Sequence, residues 1–313
     1  MSGLRVSVRT LGCKVNQYES RALEEALEAR GCLIAGKGEE ADMVVINTCT
    51  VTHRSDRDAR AMIRRARREL PDAKLVVTGC FAEIEGEAAK ALGADLVVGT
   101  ADKAQLAELV LSRDEPEPIH DVTPLAPLVL EPEPVTKFGK RSRAFFKVQD
   151  GCEAFCTYCI VPHARGPSRS LSPDEVAKGL ARLREGGHRE VVLTGIHLGY
   201  WGRELSPPRP FSELMDIAEA SPVERVRLSS LEPLELTDEL VDRIAGSDTV
   251  CPHLHIPLQS GSDTVLARME RPYTSAQFVG SIERAYDRID GLCLGVDVIV
   301  GFPGETHEEF EQT

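Results

Sequence analysis

The sequence predicts an α/β protein in which an N-terminal doubly wound parallel sheet domain is followed by a partial (β/α) barrel. Short segments rich in β-branched residues alternate with helical patterns, first over residues 1–112 and again over 138–313. A proline-rich stretch separates the two alternations. A chain of 313 residues is long enough for two domains of ordinary size.

The first alternation has short connections between strands and helices, which is typical of a doubly wound parallel sheet. Its predicted strands are Leu4–Thr10, Met43–Asn47, Lys74–Thr78 and Asp95–Val98. Its predicted helices are Gln17–Arg30, Asp56–Leu70, Glu83–Leu92 and Lys103–Leu111. Residues 113–137 follow, where six prolines alternate with acidic and apolar residues, and we expect an extended linker there.

The second alternation repeats βα units of a length that suggests a complete or partial parallel barrel. Its predicted strands are Ala144–Gln149, Glu190–Thr194, Arg225–Ser229, His253–Pro257 and Leu292–Val300. Its predicted helices are Pro173–Glu185, Phe211–Ala220, Asp238–Ile244 and Ser275–Asp290, with a further helix beginning at His307. A barrel needs more strands than these, so we expect the chain to be truncated at its C-terminus.

Charge and hydropathy exclude several classes of protein. A net charge of −13 argues against binding nucleic acid through bulk electrostatics, although it allows a local basic surface. No apolar run reaches the roughly 18 residues of a membrane span, and the N-terminus lacks an apolar signal-peptide core. We therefore expect a cytoplasmic protein with no membrane contact. Nine cysteines in such a chain indicate metal binding or thiol chemistry rather than disulfides.

Three of these cysteines form a CxxxCxxC loop directly after the first strand of the second alternation: Cys152, Cys156 and Cys159. Thiolates this close on one loop can each reach a different iron of a cubane cluster, and three ligands leave the fourth iron open. A zinc site is the alternative, with His163 as a conceivable fourth ligand. Structural zinc more often takes two separated pairs of ligands.

Three other cysteines are dispersed in the sequence: Cys13, Cys49 and Cys80 follow the first, second and third predicted strands. Because the carboxyl ends of parallel strands meet at one edge of the sheet, these thiols are expected to face one crevice. They are candidates for a second three-thiolate cluster site, and the alternative is buried packing cysteines. We interpret the remaining three, Cys32, Cys251 and Cys293, as packing residues.

The two cysteine triads and other segments form a set of short motifs: Thr10-Leu-Gly-Cys-Lys-Val-Asn-Gln-Tyr-Glu-Ser20, Asn47-Thr-Cys-Thr-Val51, Thr78-Gly-Cys-Phe81, Asp150-Gly-Cys-Glu-Ala-Phe-Cys-Thr-Tyr-Cys159, Val161-Pro-His-Ala-Arg-Gly166, Ser229-Ser-Leu-Glu-Pro233, His255-Ile-Pro-Leu-Gln-Ser-Gly261 and Asp297-Val-Ile-Val-Gly-Phe-Pro-Gly-Glu-Thr306. In combination, these motifs resemble the radical S-adenosylmethionine (SAM) methylthiotransferases over essentially the whole chain apart from the linker. The Gly-Cys-Lys-Val-Asn-Gln form, together with residues 193–199, most resembles the branch acting on threonylcarbamoyl-adenosine in tRNA. Sister branches act on isopentenyl-adenosine in tRNA or on an aspartate of a ribosomal protein.

The resemblance implies two [4Fe–4S] clusters and no conventional catalytic side chain. Cys152, Cys156 and Cys159 would hold the cluster that binds SAM, whose reductive cleavage yields a 5′-deoxyadenosyl radical. By the same resemblance, Cys13, Cys49 and Cys80 would hold an auxiliary cluster that carries the sulfur, and a second SAM would supply the methyl group. The implied partners are tRNA, an electron donor and a sulfur donor. Sulfur insertion at an aromatic C–H bond needs such cofactor chemistry, because acid–base side chains cannot achieve it.

Three residues near strand ends are candidates for the SAM pocket: Gly195, Glu232 and Gln259. Gly195 could let backbone approach SAM closely, or could simply form a tight turn. Glu232 and Gln259 resemble pocket-lining residues of the family, and the carboxyl rim of a barrel is where site residues collect.

Two basic stretches are candidates for tRNA contact. One predicted helix carries seven arginines, Arg54, Arg57, Arg60, Arg64, Arg65, Arg67 and Arg68. A second basic stretch precedes the CxxxCxxC loop: Lys137, Lys140, Arg141, Arg143 and Lys147. Each could bind phosphate or could be an ordinary solvated face.

Family members usually carry further barrel units and a small RNA-binding domain, which these residues lack, so we expect weak tRNA binding. The domains expected are thus a methylthiotransferase domain with the auxiliary cluster (1–112), the linker (113–137) and an incomplete radical SAM domain (138–313). An alternative of another class is a non-catalytic iron–sulfur or zinc module that binds tRNA.

Overall fold

Parallel strands dominate the computed structural model, which describes residues 3–36, 38–100, 103, 106–112, 119–121, 130–139 and 141–313. The chain divides into two compact units. Unit 1 comprises Met1–Phe138 and Ile160–Pro167, and unit 2 comprises Gly139–Cys159 and Ser168–Thr313. None of the described helices is long and apolar enough to cross a membrane.

Unit 1 contains a parallel sheet of six described strands in the order β2-β1-β3-β4-β5-β6. The strands are β1 (Arg5–Thr10), β2 (Leu33–Ile34), β3 (Met43–Thr48), β4 (Lys74–Gly79), β5 (Leu96–Val98) and β6 (Ile119–Asp121). The helices are α1 (Lys14–Ala29), α2 (His53–Glu69), α3 (Cys80–Ile84), α4 (Gly86–Ala91), α5 (Leu106–Ser112) and α6 (Val161–Arg165).

The central strands β3 and β4 are buried on both faces, as expected of a parallel sheet covered by helices on both sides. Two apolar clusters form the core of this unit. One surrounds Ile63 and Phe81, and the other surrounds Leu27 and Val45. The predicted doubly wound sheet is confirmed, and the predicted helix Glu83–Leu92 is replaced by α3 and α4, which meet at Glu85.

The predicted linker lies partly outside the described residues, at 113–118 and 122–129. Within its span, Ile119–Asp121 is a strand paired in parallel with β5. Its last residues contact α1: the Tyr18 hydroxyl donates to the Glu133 carbonyl at 2.8 Å, and Thr136 donates through its hydroxyl to Glu25 at 2.8 Å.

A buried ionic network stabilises unit 1. The Glu19 carboxylate, whose side chain is 4% exposed, pairs with Arg165 at 2.5 Å and also with Lys103. Arg165 lies in α6, far along the chain, and its guanidinium also donates to Asn16. Segment 160–167 therefore belongs to the core of unit 1 although both of its flanking sequences belong to unit 2.

Unit 2 is built on parallel strands that follow one another in sequence order, together with a separate antiparallel pair, β8 and β9. Its strands are β7 (Arg143–Lys147), β8 (Gln149–Asp150), β9 (Arg169–Ser170), β10 (Glu190–Thr194), β11 (Arg225–Leu228), β12 (His253–His255) and β13 (Cys293–Gly295). Its helices are α7 (Pro173–Glu185), α8 (Phe211–Ala220), α9 (Asp238–Gly246), α10 (Asp263–Arg268), α11 (Ser275–Arg288) and α12 (His307–Gln312).

Strand β10 pairs in parallel with β7 and β11, and β12 pairs in parallel with β13. A single bridge between Val226 and Val250 continues the order from β11 toward β12. This is the arc of a (β/α) barrel, so the predicted fold class is confirmed. The predicted strand Leu292–Val300 is correct only over Cys293–Gly295, and beyond it the chain forms one bridge, between Gln259 and Val298.

Candidate functional site

The CxxxCxxC loop of unit 2 runs from Gly151 to Cys159, directly after β8. A turn inside it brings the Cys159 amide to the Cys156 carbonyl at 2.9 Å. The Thr157 hydroxyl donates to the Arg268 carbonyl at 2.9 Å and fixes the middle of the loop. Cys156 is buried, whereas Cys152 and Cys159 are half-buried. The loop therefore presents three thiols that form no disulfide, from a backbone that is held in place.

Arg271 is a residue that the sequence did not single out, and it contacts the loop directly. Its Nη1 donates to Cys156 Sγ at 3.1 Å, and its Nη2 binds the Glu232 carboxylate. Its Nε donates to the Tyr273 hydroxyl at 3.2 Å, which in turn donates to the Pro257 carbonyl at 2.8 Å. Burial raises the pKa of the Glu232 carboxyl, and the Arg271 guanidinium acts against that rise. Arg271 thus joins Cys156, Glu232 and the segment that leads to Gln259.

His197 is a second residue that the sequence did not single out and that contacts the loop. Its Nδ1 lies 3.7 Å from Cys152 Sγ, and its Nε2 lies 2.9 Å from a Glu235 oxygen. Burial alone lowers the pKa of His197, but the hydrogen bonds to Cys152 and Glu235 outweigh it and raise the pKa to about 9. The Glu232 amide donates to the Glu235 carboxylate at 2.9 Å, and this bond connects the Arg271–Glu232 pair with the His197–Glu235 pair.

Each predicted SAM-pocket residue lies at or just beyond the carboxyl end of a strand. Gly195 follows β10, and a Cβ at this position would lie 2.6 Å from Gln149 Oε1. Gln149 Oε1 in turn accepts a hydrogen bond from the His197 amide at 2.8 Å. The space left by Gly195 is therefore filled by a buried glutamine.

Glu232 follows β11, and Gln259 follows β12 in a left-handed conformation with φ of 64°. A non-glycine residue pays about 1–3 kcal/mol for this backbone. The Gln259 amide donates to the Asp297 carbonyl at 2.9 Å, and the Gln259 carbonyl accepts from the Ile299 amide at 2.8 Å. These two hydrogen bonds hold Gln259 in that conformation.

The second cysteine triad lies at one edge of the sheet in unit 1. Strands β1, β3 and β4 are adjacent, and their register aligns Thr10 with Asn47 and Asn47 with Thr78. The three cysteines follow these aligned residues within a few positions: Cys13, Cys49 and Cys80. Their strands therefore end side by side, as the sequence predicted.

Two glycines allow the backbone to approach closely at this edge. A Cβ on Gly12 would lie 2.8 Å from Cys49 Cβ, and a Cβ on Gly79 would lie 2.4 Å from the Thr48 carbonyl oxygen. Both have positive φ, 107° and 94°. Asn16 donates to the carbonyls of Leu11 and Thr48 at 2.7 and 3.0 Å and ties two of the strand ends together.

The donor chemistry of both triads fits an iron–sulfur cluster. Each offers three thiols that form no disulfide. Among the described residues, no three His, Cys, Asp or Glu side chains are placed to ligate one metal ion. A cubane makes a different demand, because each thiolate binds a different iron. The three predicted packing cysteines differ: Cys32 and Cys251 are buried, but the prediction for Cys293 is wrong, since it is exposed at the start of the outer strand of the β12–β13 pair.

The second basic stretch is partly neutralised. Lys147 is buried 3.7 Å from Asp150, and Arg143 pairs with Glu190 at 2.8 Å. Lys140 lies outside the described residues. Burial and pairing therefore remove two of the five expected phosphate contacts.

Sequence profiles define the class of protein. Residues 146–313 match the Radical SAM superfamily, and residues 5–99 match the Uncharacterized protein family UPF0004. Among solved structures, the chain is similar to the radical S-adenosylmethionine methyltransferase TsrM from Kitasatospora setae, with a TM-score of 0.68 and 18% identity over 97% of this chain and 69% of that one. It is also similar to the cobalamin-dependent radical enzyme OxsB, with a TM-score of 0.64 and 14% identity over 99% of this chain and 51% of that one. At such identities the likeness establishes the fold.

Curated relatives are more similar. The threonylcarbamoyladenosine tRNA methylthiotransferase MtaB of Bacillus subtilis is 43% identical over 98% of this chain and 69% of its own length. MtaB of Thermotoga maritima is 35% identical over 98% of this chain and 70% of its own length. The tRNA-2-methylthio-N(6)-dimethylallyladenosine synthase of Carboxydothermus hydrogenoformans is 34% identical over 97% of this chain and 71% of its own length. The chain belongs to the methylthiotransferase family of radical SAM enzymes, which confirms the resemblance found in the sequence.

Proposed function

We propose that this chain adds a methylthio group to carbon 2 of N6-threonylcarbamoyladenosine beside the anticodon of tRNA. The observation that carries the proposal is the pair of cysteine triads, one at the carboxyl edge of each unit's parallel strands. Family membership supports the reaction type, and the 43% identity to MtaB of Bacillus subtilis, against 34% to the dimethylallyladenosine synthase of Carboxydothermus hydrogenoformans, supports the substrate. The partners are tRNA, an electron donor and a sulfur donor, and a tRNA substrate is consistent with a cytoplasmic protein.

Cys152, Cys156 and Cys159 would hold a [4Fe–4S] cluster, which when bound supplies an open iron for SAM and an electron for its cleavage. Around it, Arg271 fixes Cys156 and neutralises Glu232 with the same guanidinium. His197 orients Cys152 and is itself oriented by Glu235. The outer-shell partners of cluster ligands set their orientation, so Arg271 and His197 are positioning residues of this site.

Glu232 and Gln259 remain our candidates for SAM contact, and Gly195 contributes by leaving room for Gln149 and hence for His197. A carboxylate on the barrel rim is suited to accept hydrogen bonds from an ammonium or ribose hydroxyl group. The left-handed backbone of Gln259 is the kind of strain that accumulates at ligand sites.

Cys13, Cys49 and Cys80 would hold the second cluster, which would supply the sulfur. The chain's own contribution is to bring three strand ends together, through the close approaches at Gly12 and Gly79 and the amide bridges of Asn16.

The test is to measure iron, acid-labile sulfide and zinc per chain after anaerobic reconstitution. We expect about eight iron and eight sulfide atoms for the unaltered chain, and about four of each for Cys49→Ala or Cys152→Ala. Cys293→Ala is the matched control, because this cysteine is exposed and outside both triads. The reconstituted chain should form 5′-deoxyadenosine under reduction and methylthio product on tRNA that carries threonylcarbamoyladenosine.

Zinc in place of iron, or cluster binding without 5′-deoxyadenosine, would favour a non-catalytic tRNA-binding module and overturn the proposal. Product on tRNA carrying isopentenyladenosine, or on the ribosomal-protein aspartate, but not on threonylcarbamoyladenosine, would keep the chemistry and overturn the substrate.

A further inference from the structure

Helix α2 carries its seven arginines in two distinct groups. Four of them pair with carboxylates: Arg54 with Asp58, Arg60 with Asp56, Arg65 with Glu69 and Arg67 with Asp95, at 3.8, 2.9, 2.6 and 2.6 Å. The remaining three, Arg57, Arg64 and Arg68, are exposed and make no ion pair with any described residue. We call these three the arginine stripe.

The stripe is a single line on the helix surface. Its members are spaced i, i+7 and i+11, which at 100° per residue places them within about 40° of one another. At a rise of 1.5 Å per residue they span about 16 Å of the helix axis. Ala61 lies on the same face and is exposed, so a small side chain leaves the guanidinium groups accessible.

The helix is rigidly attached beneath the stripe. Ala59, Ile63 and Ala66 are 0 to 1% exposed and pack into the core of unit 1. The hydroxyl of Thr52 accepts from the Ser55 amide at 3.0 Å and caps the helix start. Arg67 donates to the carbonyls of Gly93 and Ala73 at the other end. The stripe is therefore carried on a helix that is packed along its inner face and held at both ends.

The position of the stripe relates it to the second cysteine triad. Helix α2 begins four residues after Cys49, and Arg57 lies in its second turn. The row therefore starts at the triad edge of the sheet and runs away from it along unit 1.

We propose that the arginine stripe is a binding surface for the phosphate backbone of the RNA substrate, leading from the triad edge of unit 1. The inference rests on the proposed function for the identity of the RNA. Guanidinium groups bind phosphate with two parallel hydrogen bonds, which favours arginine over lysine at such contacts. A chain of net charge −13 repels a polyanion over most of its surface, so binding depends on cations that no carboxylate neutralises.

The experiment compares two double variants that remove the same formal charge from the same helix. Arg64→Gln with Arg68→Gln disrupts the stripe, whereas Arg54→Gln with Arg65→Gln removes arginines that are already paired. tRNA binding is measured by fluorescence anisotropy between 50 and 200 mM salt, with circular dichroism to verify folding. We expect the stripe variant to lose at least about tenfold in affinity and about 2 in the slope of log K against log salt, and the control to lose little.

Equal losses of tRNA affinity in both variants would mean that only the total charge of the helix matters, and would overturn the proposal. So would an unchanged stripe variant, absence of salt-dependent tRNA binding by the unaltered chain, or equal competition by polyglutamate, which would indicate an acidic protein partner. The proposed function fails separately, through absence of 5′-deoxyadenosine and methylthio product from the unaltered chain, and that result leaves stripe-dependent RNA binding measurable.

Discussion

Arg271 Nη1 lies 3.1 Å from Cys156 Sγ, although 115 residues separate them in sequence. The same guanidinium binds Glu232, one of the candidates for SAM contact. One side chain thus fixes a cysteine of the loop and a carboxylate of the barrel rim together. The side chain of Arg271 is 5% exposed and that of Glu232 is 23% exposed, so the pair is only weakly screened by water.

Replacing Arg271 with methionine should destabilise the chain by about 2–4 kcal/mol, because it leaves Glu232 without its counter-charge in a buried position. Urea unfolding measures the change. The double variant Arg271→Met/Glu232→Gln should recover a large part of the loss, since it removes the uncompensated carboxylate as well. A double variant no more stable than the single one would show that the ion pair is not the source of the effect.

Gly79→Ala should be more damaging than an ordinary glycine replacement, by about 2–5 kcal/mol, because it combines a positive φ with a clash against the Thr48 backbone. Gly93→Ala is the matched control in urea unfolding. Its φ of 98° is similar, but a Cβ there meets only the Arg67 side chain at 3.5 Å. Equal losses for the two variants would contradict the view that β4 needs this close approach.

Thiol alkylation should distinguish the triads from the remaining cysteines. In the unloaded chain, exposed Cys13 and Cys293 should react faster than buried Cys49 and Cys80. Cluster loading should then protect Cys13 and leave Cys293 reactive, as read by mass spectrometry of the alkylated peptides. Protection of both, or of neither, would contradict the assignment of Cys13 as a ligand.

The attachment of α12 should depend on acid pH through Glu309. Hydrogen bonds from Arg268, the Thr264 hydroxyl and the Thr306 amide lower the pKa of Glu309 from 4.5 to about 2. A lowered pKa stabilises the folded form above pH 4.5, and that stabilisation is lost as the pH falls toward 2. The protection of the α12 amides against hydrogen exchange, taken relative to the intrinsic exchange rate at each pH, should therefore fall over this interval. Glu309→Gln should abolish this pH dependence and lower the protection at neutral pH, and an unchanged pH profile in this variant would refute the assignment.

Local sequence patterns predicted much of this fold. Helix α7 and strand β10 begin and end at the predicted residues, because strong caps and a β-branched run mark them. The strand predicted to end at Val300 is shorter. Val296, Val298 and Val300 are 40 to 59% exposed, so their alternating pattern is not stabilised by burial of apolar surface.

The cysteines of the site were predictable because their spacing and their positions after strands are local properties. Arg271 and His197 were not, because their role depends on contacts over 115 and 45 positions that leave no periodic signal. Lys147 looked like a phosphate ligand by composition, but it is paired and buried, and only the tertiary structure reveals this.

The discontinuity of unit 1 has a practical outcome for anyone who wishes to dissect this chain. A fragment ending at residue 138 would contain the whole sheet, yet it would lack α6 and hence the Arg165 guanidinium beside the buried Glu19. Conversely, a fragment beginning at residue 139 would carry α6 without the core that receives it. Subcloning at the proline-rich stretch should therefore yield two unstable polypeptides, and co-expression of the halves is the more promising way to study each triad separately.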